Sequence, residues 1–131
     1  FYSNGFAMPF LYIAIGGALG SMARYAVSTW GGQTFVFVKF PIGTWLVNLL
    51  GCLIAGVLAG LGEKYQLFSN ETRLFVFTGL MGGFTTFSAF GLETIQLIRR
   101  GDFAIALLYV LSSVLLGIIL LGLGFYFSQK I

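Results

Sequence analysis

Residues 79–92 read GLMGGFTTFSAFGL and lie inside a long apolar run. No ionisable residue occurs between Leu74 and Leu92, so the run is long enough to cross a bilayer. Its centre nevertheless holds Gly82 and Gly83, followed by three hydroxyl residues, and glycine costs about 1 kcal/mol relative to alanine inside a helix. Irregular backbone at membrane depth is tolerated only where protein buries it or water reaches it. The stretch therefore predicts a helix that breaks near residues 82–86, with freed carbonyls and hydroxyls facing something polar.

Composition predicts an all-α integral membrane protein. The chain has 131 residues, of which 58% are hydrophobic and only 8% charged, and a soluble domain of this size does not have that balance. Uncharged runs predict a single transmembrane domain whose four spans cover about residues 9–30, 41–62, 73–98 and 103–128, with a turn at Gly31–Gly32. So little mass remains outside the membrane that we expect no enzyme activity. The net charge of +3 does not suggest nucleic acid.

Three polar residues within the spans each allow a structural and a functional interpretation. Arg24 either snorkels to the interface or lines a wet vestibule that attracts anions. Asn48 either joins helices through a hydrogen bond or donates its amide hydrogens to a passing solute. Glu93 is either an interfacial carboxylate near Arg99 and Arg100 or a charge at the end of a conduction path.

The polar side chains at membrane depth are rich in hydrogen-bond donors and contain no mid-span carboxylate. They are Thr44, Asn48, Thr85, Thr86, Ser88, Tyr109, Ser112 and Ser113. Phe87 and Phe90 are spaced i, i+3 and so share a helical face, and the edges of their rings carry partial positive charge. Donors and ring edges without an acidic centre favour a small anion over a cation, and a tight path can select by size.

The basic residues give the chain almost no preferred orientation. One side of the membrane has Lys64, Arg73 and Lys130, and the other has Arg24, Lys39, Arg99 and Arg100. Three against four is nearly balanced under the positive-inside rule. Since four helices are also too few to enclose an aqueous pore, we expect an antiparallel, dual-topology homodimer.

Three motifs together resemble the Fluc fluoride channels, also called CrcB proteins. They are GGALGSMARY at residues 16–25, GTWLVNLLG at 43–51 and GLMGGFTTFSAF at 79–90. The resemblance spans three of the four predicted helices and implies a bacterial, multi-pass protein of the inner membrane. It implies an antiparallel dimer embedded in lipid, with two pores through which toxic fluoride leaves the cell passively.

The resemblance also implies roles for individual residues. Asn48 is similar to the family's pore asparagine, and Phe87 and Phe90 to its paired pore phenylalanines. The backbone carbonyls of Gly82 and Thr85 from both subunits would hold one structural Na+. Further pore residues implied by motif position or expected from the polar track are Thr44, Thr86, Ser88, Glu93, Tyr109, Ser112 and Ser113, with Arg24 in the vestibule. Ala89 stands where many members have threonine, which removes one hydroxyl.

Two other functions compete with a fluoride channel. A proton-coupled multidrug exporter can also be a four-helix, dual-topology protein, but it needs a membrane-embedded carboxylate. The first span has no acid, and Glu93 lies near the end of its span. A non-transporting assembly or lipid-binding subunit would use Asn48 and the hydroxyls only to hold helices together.

Overall fold

The computed structural model describes residues 2–131, and the side chains of residues 7–131. Its long helices are α1 (Tyr2–Thr34), α2 (Ile42–Tyr65), α4 (Ser88–Arg99) and α5 (Phe103–Lys130). The third span begins with α3, which consists of three consecutive parts: Asn70–Arg73, Leu74–Met81 and Gly82–Phe84. The segments long and apolar enough to cross a membrane are Ala7–Thr34, Ile42–Tyr65, Asn70–Arg99 and Phe103–Lys130. The predicted all-α architecture with four spanning segments is confirmed.

The third span breaks at the hydroxyl residues that follow its paired glycines, while Gly82 and Gly83 themselves stay helical. The middle part of α3, Leu74–Met81, is a π-helix, and the last turn is α-helical. Thr85 is then extended, with φ −82° and ψ 157°, and α4 starts at Ser88. The break therefore lies at residues 85–87, and the prediction of a broken third helix is confirmed.

The helix α1 runs straight through the predicted turn at Gly31–Gly32 and ends only at Thr34. That prediction was wrong because Gly31 serves helix packing instead. A Cβ atom at Gly31 would lie 3.1 Å from the Cα of Gly43 in α2, so the missing side chain lets the two backbones approach.

Glycines also bring α1 against α3. A Cβ atom at Gly79 would lie 2.9 Å from the carbonyl oxygen of Ile13, and one at Gly83 would lie 2.7 Å from that of Gly17. Small residues permit such close approach of membrane helices. The other extensive helix pair is α2 with α5.

Two small apolar clusters flank the break. One contains Val47, Met81 and Phe84. The other is built on Leu97, Ala106 and Tyr109, with Phe40, Trp45, Phe90 and Ile105 packed around it. The buried rings of the second cluster place α4 and α5 beside each other just after the break, which is where the predicted site residues meet.

Candidate functional site

Asn48 of α2 holds the broken backbone at Thr86. Its Nδ2 donates to the Thr86 carbonyl at 2.9 Å, and its Oδ1 accepts from the Thr86 N–H at 2.9 Å. Since a backbone N–H can only donate, this pairing fixes which end of the amide faces it. Asn48 therefore does join two helices, and one of its two Nδ2 hydrogens is left for another acceptor.

Arg24 of α1 bonds a backbone carbonyl in the last helical turn before the break. Its Nε donates to the Gly83 carbonyl at 3.0 Å across the packed α1–α3 pair. The side chain is half-buried. The structure therefore gives Arg24 a contact that neither sequence interpretation anticipated.

Some of the remaining backbone carbonyls near the break accept a hydrogen bond, and others do not. The Met81 carbonyl accepts from both the N–H and the hydroxyl of Thr85, each at 2.9 Å. Among the described residues, no donor bonds the carbonyl of Gly82 or of Thr85. These two oxygens are the ones assigned to a cation by the family resemblance, and both are left open by the local backbone.

An open groove of about 450 Å³ runs along the break. Asn48, Gly82, Thr85, Thr86, Phe87, Phe90 and Ser113 line it, together with Gly51, Cys52, Ala55, Phe77, Met81, Val114 and Leu121. None of these lining residues is ionisable as an acid or a base except the thiol of Cys52. Phe87 is 84% exposed, and its ring lies 5.8 Å from that of Phe90 between centroids.

Three of the hydroxyls expected at membrane depth already donate their only hydrogen to a protein acceptor. The Thr85 hydroxyl donates to the Met81 carbonyl, and the Thr44 hydroxyl donates to the Glu93 carboxylate. Ser112 donates to the Tyr109 carbonyl at 3.3 Å and accepts from Trp45 Nε1 at 3.0 Å. The structure does not bring Ser112 to the groove, because its hydroxyl is held between α2 and α5.

Two buried hydroxyls have no partner. The Tyr109 and Ser113 oxygens make no hydrogen bond in the described part of the chain, although Tyr109 is completely buried. A buried polar group without a partner costs roughly 1–3 kcal/mol, so such a pair marks a place for water or a ligand. Ser113 lines the groove, and Tyr109 lies behind Phe90, with ring centroids 5.1 Å apart.

Thr86 and Ser88 lie at the N-terminal end of α4. The Thr86 hydroxyl accepts from the Ala89 N–H at 3.2 Å and lies 3.5 Å from the Ser88 hydroxyl, which is exposed. Position 89 therefore contributes through its backbone, and an alanine there keeps this cap intact.

Thr44 and Glu93 lie at a second cavity, of about 270 Å³, under the loop between α1 and α2. In the described residues Glu93 forms no ion pair, and its carboxylate accepts from Thr44 instead. Neither Arg99 nor Arg100 pairs with Glu93 within the part of the chain that the structure describes. Sequence reasoning also missed Phe40, which lines this cavity and packs on Tyr109.

The fold and the site together define a multi-pass membrane protein with a donor-lined break in its third span. The family described as "CrcB-like protein, Camphor Resistance (CrcB)" matches residues 11–125, and the chain belongs to this family of ion channels, not of enzymes.

Curated relatives carry the name "Fluoride-specific ion channel FluC". The protein of Methylobacillus flagellatus is 48% identical over 88% of this chain and 90% of its own length. That of Parabacteroides distasonis is 47% identical over 91% of both chains. That of Helicobacter acinonychis is 40% identical over 94% of this chain and 97% of its own.

Proposed function

We propose that this protein is a fluoride-selective channel through which F⁻ leaves the bacterial cytoplasm passively. The observation that carries the proposal is the groove at the break, where the free amide hydrogen of Asn48, the unpartnered Ser113 hydroxyl and two phenylalanine rings converge. The name shared by relatives up to 48% identical supports fluoride as the ion.

The chemistry of the groove favours a small anion. An anion that loses its water shell needs hydrogen-bond donors close by, and the groove offers an amide, hydroxyls and ring edges without a carboxylate to repel it. Phe90 separates the groove from Tyr109, and the cavity at Thr44 and Glu93 lies beyond that ring. The route that we propose runs from the groove past Phe87 and Phe90 to the Tyr109 hydroxyl and this cavity.

We propose further that two copies pair in antiparallel orientation and form two such routes. The groove is open, Gly82 and Ser88 are exposed, and the free carbonyls lie at membrane depth. Lipid cannot bond these groups, so either water or a second protein surface has to satisfy them, and a second copy of the chain would also close the open side of the groove. The basic residues are nearly balanced, with three on one side of the membrane and four on the other, which favours insertion in both directions.

Na+ is the structural cation that we propose for the dimer axis. Hard cations take oxygen ligands, and unwound backbone supplies them without a buried carboxylate. The carbonyls of Gly82 and Thr85 have no other partner, whereas those of Met81, Gly83 and Thr86 are already bonded. A bound Na+ would stabilise the broken backbone and the contact between the two copies.

Efflux from proteoliposomes tests the whole proposal. Vesicles loaded with fluoride or chloride and containing the purified protein should release fluoride and retain chloride. Replacing Na+ by a large organic cation on both sides should weaken the dimer and lower the flux. Absence of fluoride release from vesicles that contain intact dimer would refute the channel. If instead the flux and the dimer stability do not depend on Na+, only the cation site would be refuted.

A further inference from the structure

Five aromatic rings form an unbroken series from the loop between α1 and α2 to the groove. The order is Trp45, Phe40, Tyr109, Phe90 and Phe87. Ring centroids are separated by 5.5 Å from Trp45 to Phe40, 5.3 Å to Tyr109, 5.1 Å to Phe90 and 5.8 Å to Phe87. Each distance lies within the range of attractive ring contacts. We call these five residues the aromatic series.

The outer end of the series is rigidly held. Phe40 meets Trp45 edge-on at 85° and Tyr109 edge-on at 90°. Trp45 is fixed in turn, because its Nε1 donates to Ser112 on α5 at 3.0 Å. Phe40 is half-buried and follows Lys39, whose ammonium lies 3.9 Å from the Asp102 carboxylate.

Ring packing is the main contact that orients Tyr109. The residue is completely buried, and its hydroxyl makes no hydrogen bond of ordinary geometry among the described residues, although Thr44 and Glu93 lie close to it. The rings on its two sides therefore hold the Tyr109 ring, and close-packed interiors transmit small displacements. Phe40 occupies one side and Phe90 the other.

We propose that Phe40 is a positioning residue for the ion route: through Tyr109 it fixes the ring of Phe90, although it does not itself line the groove. This inference rests on the proposed fluoride route, because Phe90 matters only if ions pass it. Phe40 has no charge, but it lines the cavity at the outer end of the route, so an effect through Tyr109 has to be separated from a direct effect of its own ring edge, which the double variant described below does. A leucine at position 40 would fill part of the volume but would leave the Tyr109 ring free to tilt towards the cavity under the loop.

The test compares Phe40→Leu with Phe40→Tyr in fluoride-loaded proteoliposomes. Phe40→Leu should lower fluoride flux about tenfold, which is the scale of one lost edge-to-face contact acting on a rate. Phe40→Tyr keeps the ring and should stay within about twofold of the wild type. Phe127→Leu is the matched control, because Phe127 meets Tyr126 edge-on at 5.4 Å near the end of α5 and lies outside the series, the groove and the second cavity; it should conduct normally.

Tyr109→Leu provides the second measurement. If Phe40 acts through Tyr109, the double variant Phe40→Leu/Tyr109→Leu should conduct no worse than Tyr109→Leu alone. Trp45→Phe keeps an aromatic ring at position 45 but loses the hydrogen bond to Ser112. We expect it to lower the flux less than Phe40→Leu does, and it is the variant to use if Phe40→Leu fails to fold.

Three results would overturn the inference while the wild type still conducts. They are normal flux in Phe40→Leu, equal loss in Phe40→Leu and Phe40→Tyr, and additive losses in the double variant. A wild-type dimer without fluoride flux would instead overturn the proposed channel itself, and with it the route that Phe40 is meant to serve.

Discussion

The side-chain amide of Asn48 and the backbone of Thr86 bond each other in both directions, at 2.9 Å each. This pair replaces hydrogen bonds that the interrupted helix cannot make for itself. It also reconciles the two interpretations of Asn48, because an amide that holds the break still has one free Nδ2 hydrogen. That hydrogen belongs to a side chain lining the groove.

Asn48→Asp should abolish fluoride flux. A carboxylate cannot donate to the Thr86 carbonyl, and it places a negative charge in the groove that repels an anion. Flux from proteoliposomes, with dimer content measured on the same sample, checks this. Cys52→Ala is the control, because Cys52 lines the same groove one turn further along α2 and should be replaceable. Preserved transport in the aspartate variant would mean that Asn48 only packs helices.

Replacing either groove phenylalanine should slow conduction without loss of the dimer. Phe87→Ile and Phe90→Ile remove the polarised ring edges while keeping apolar bulk, and we expect at least about a tenfold fall in fluoride flux. Phe103→Ile is the control, because Phe103 is 65% exposed at the start of α5. Normal flux in both groove variants would mean that the ring edges do not contribute to the passage of the ion.

The break could be predicted from sequence because its cause is local. Paired glycines followed by Thr85 and Thr86 weaken a helix wherever they occur, and an uncharged run of that length has to lie in the membrane. The spanning helices follow from composition in the same way. The predicted turn at Gly31–Gly32 failed because a glycine pair equally suits close helix packing, and only the neighbour Gly43 distinguishes the two.

Contacts between distant residues were beyond sequence reasoning. Arg24 and Gly83 are separated by 59 positions, and no local pattern indicates that a guanidinium meets that carbonyl. The sequence also overestimates the number of hydroxyl groups that are free to donate to an ion. Ser112 was expected in the pore by its spacing with Tyr109 and Ser113, yet its hydroxyl is bonded to Trp45. The ring contact of Phe40 with Tyr109 is likewise invisible without the fold.

Arg24→Gln should loosen the broken segment. The variant loses a charged donor to the Gly83 carbonyl, a contact worth about 1–2 kcal/mol at a half-buried site, so the midpoint of thermal or denaturant unfolding in detergent should fall. Arg100→Gln is a closely matched control, since its Nε also donates to a carbonyl, that of Gln96, at 3.3 Å, but on an exposed turn. Equal stability of the two variants would show that the Gly83 contact does not hold the break.

Glu93→Gln separates a channel from a proton-coupled exporter. A glutamine oxygen can still accept from the Thr44 hydroxyl, which is the contact that Glu93 makes. We therefore expect the variant to conduct fluoride passively, whereas an exporter would lose the carboxylate that exchanges a proton for its substrate. Fluoride flux is measured with and without an imposed pH gradient. Absence of fluoride flux in the wild type, together with drug transport that follows the pH gradient and vanishes in Glu93→Gln, would favour the exporter.

Gly20→Ala should destabilise the fold through the contact of α1 with α3. An added Cβ atom would lie 2.9 Å from the Phe84 backbone nitrogen and even closer to the Leu80 carbonyl. Because both neighbours are backbone atoms, they cannot rotate away, and overpacking of this kind costs roughly 1–3 kcal/mol.

Gly122→Ala is the control for that prediction, because a Cβ atom at Gly122 of α5 meets nothing within 4 Å. Its helix propensity should improve by up to about 1 kcal/mol. The two alanine variants should therefore shift the unfolding midpoint in opposite directions, and Gly20→Ala should also lower flux, because α1 supports the segment that ends in the break. An unfolding midpoint for Gly20→Ala at or above that of the wild type would mean that moving α1 away from α3 does not lower the stability. The support of the break would then have to come from Asn48 and α2.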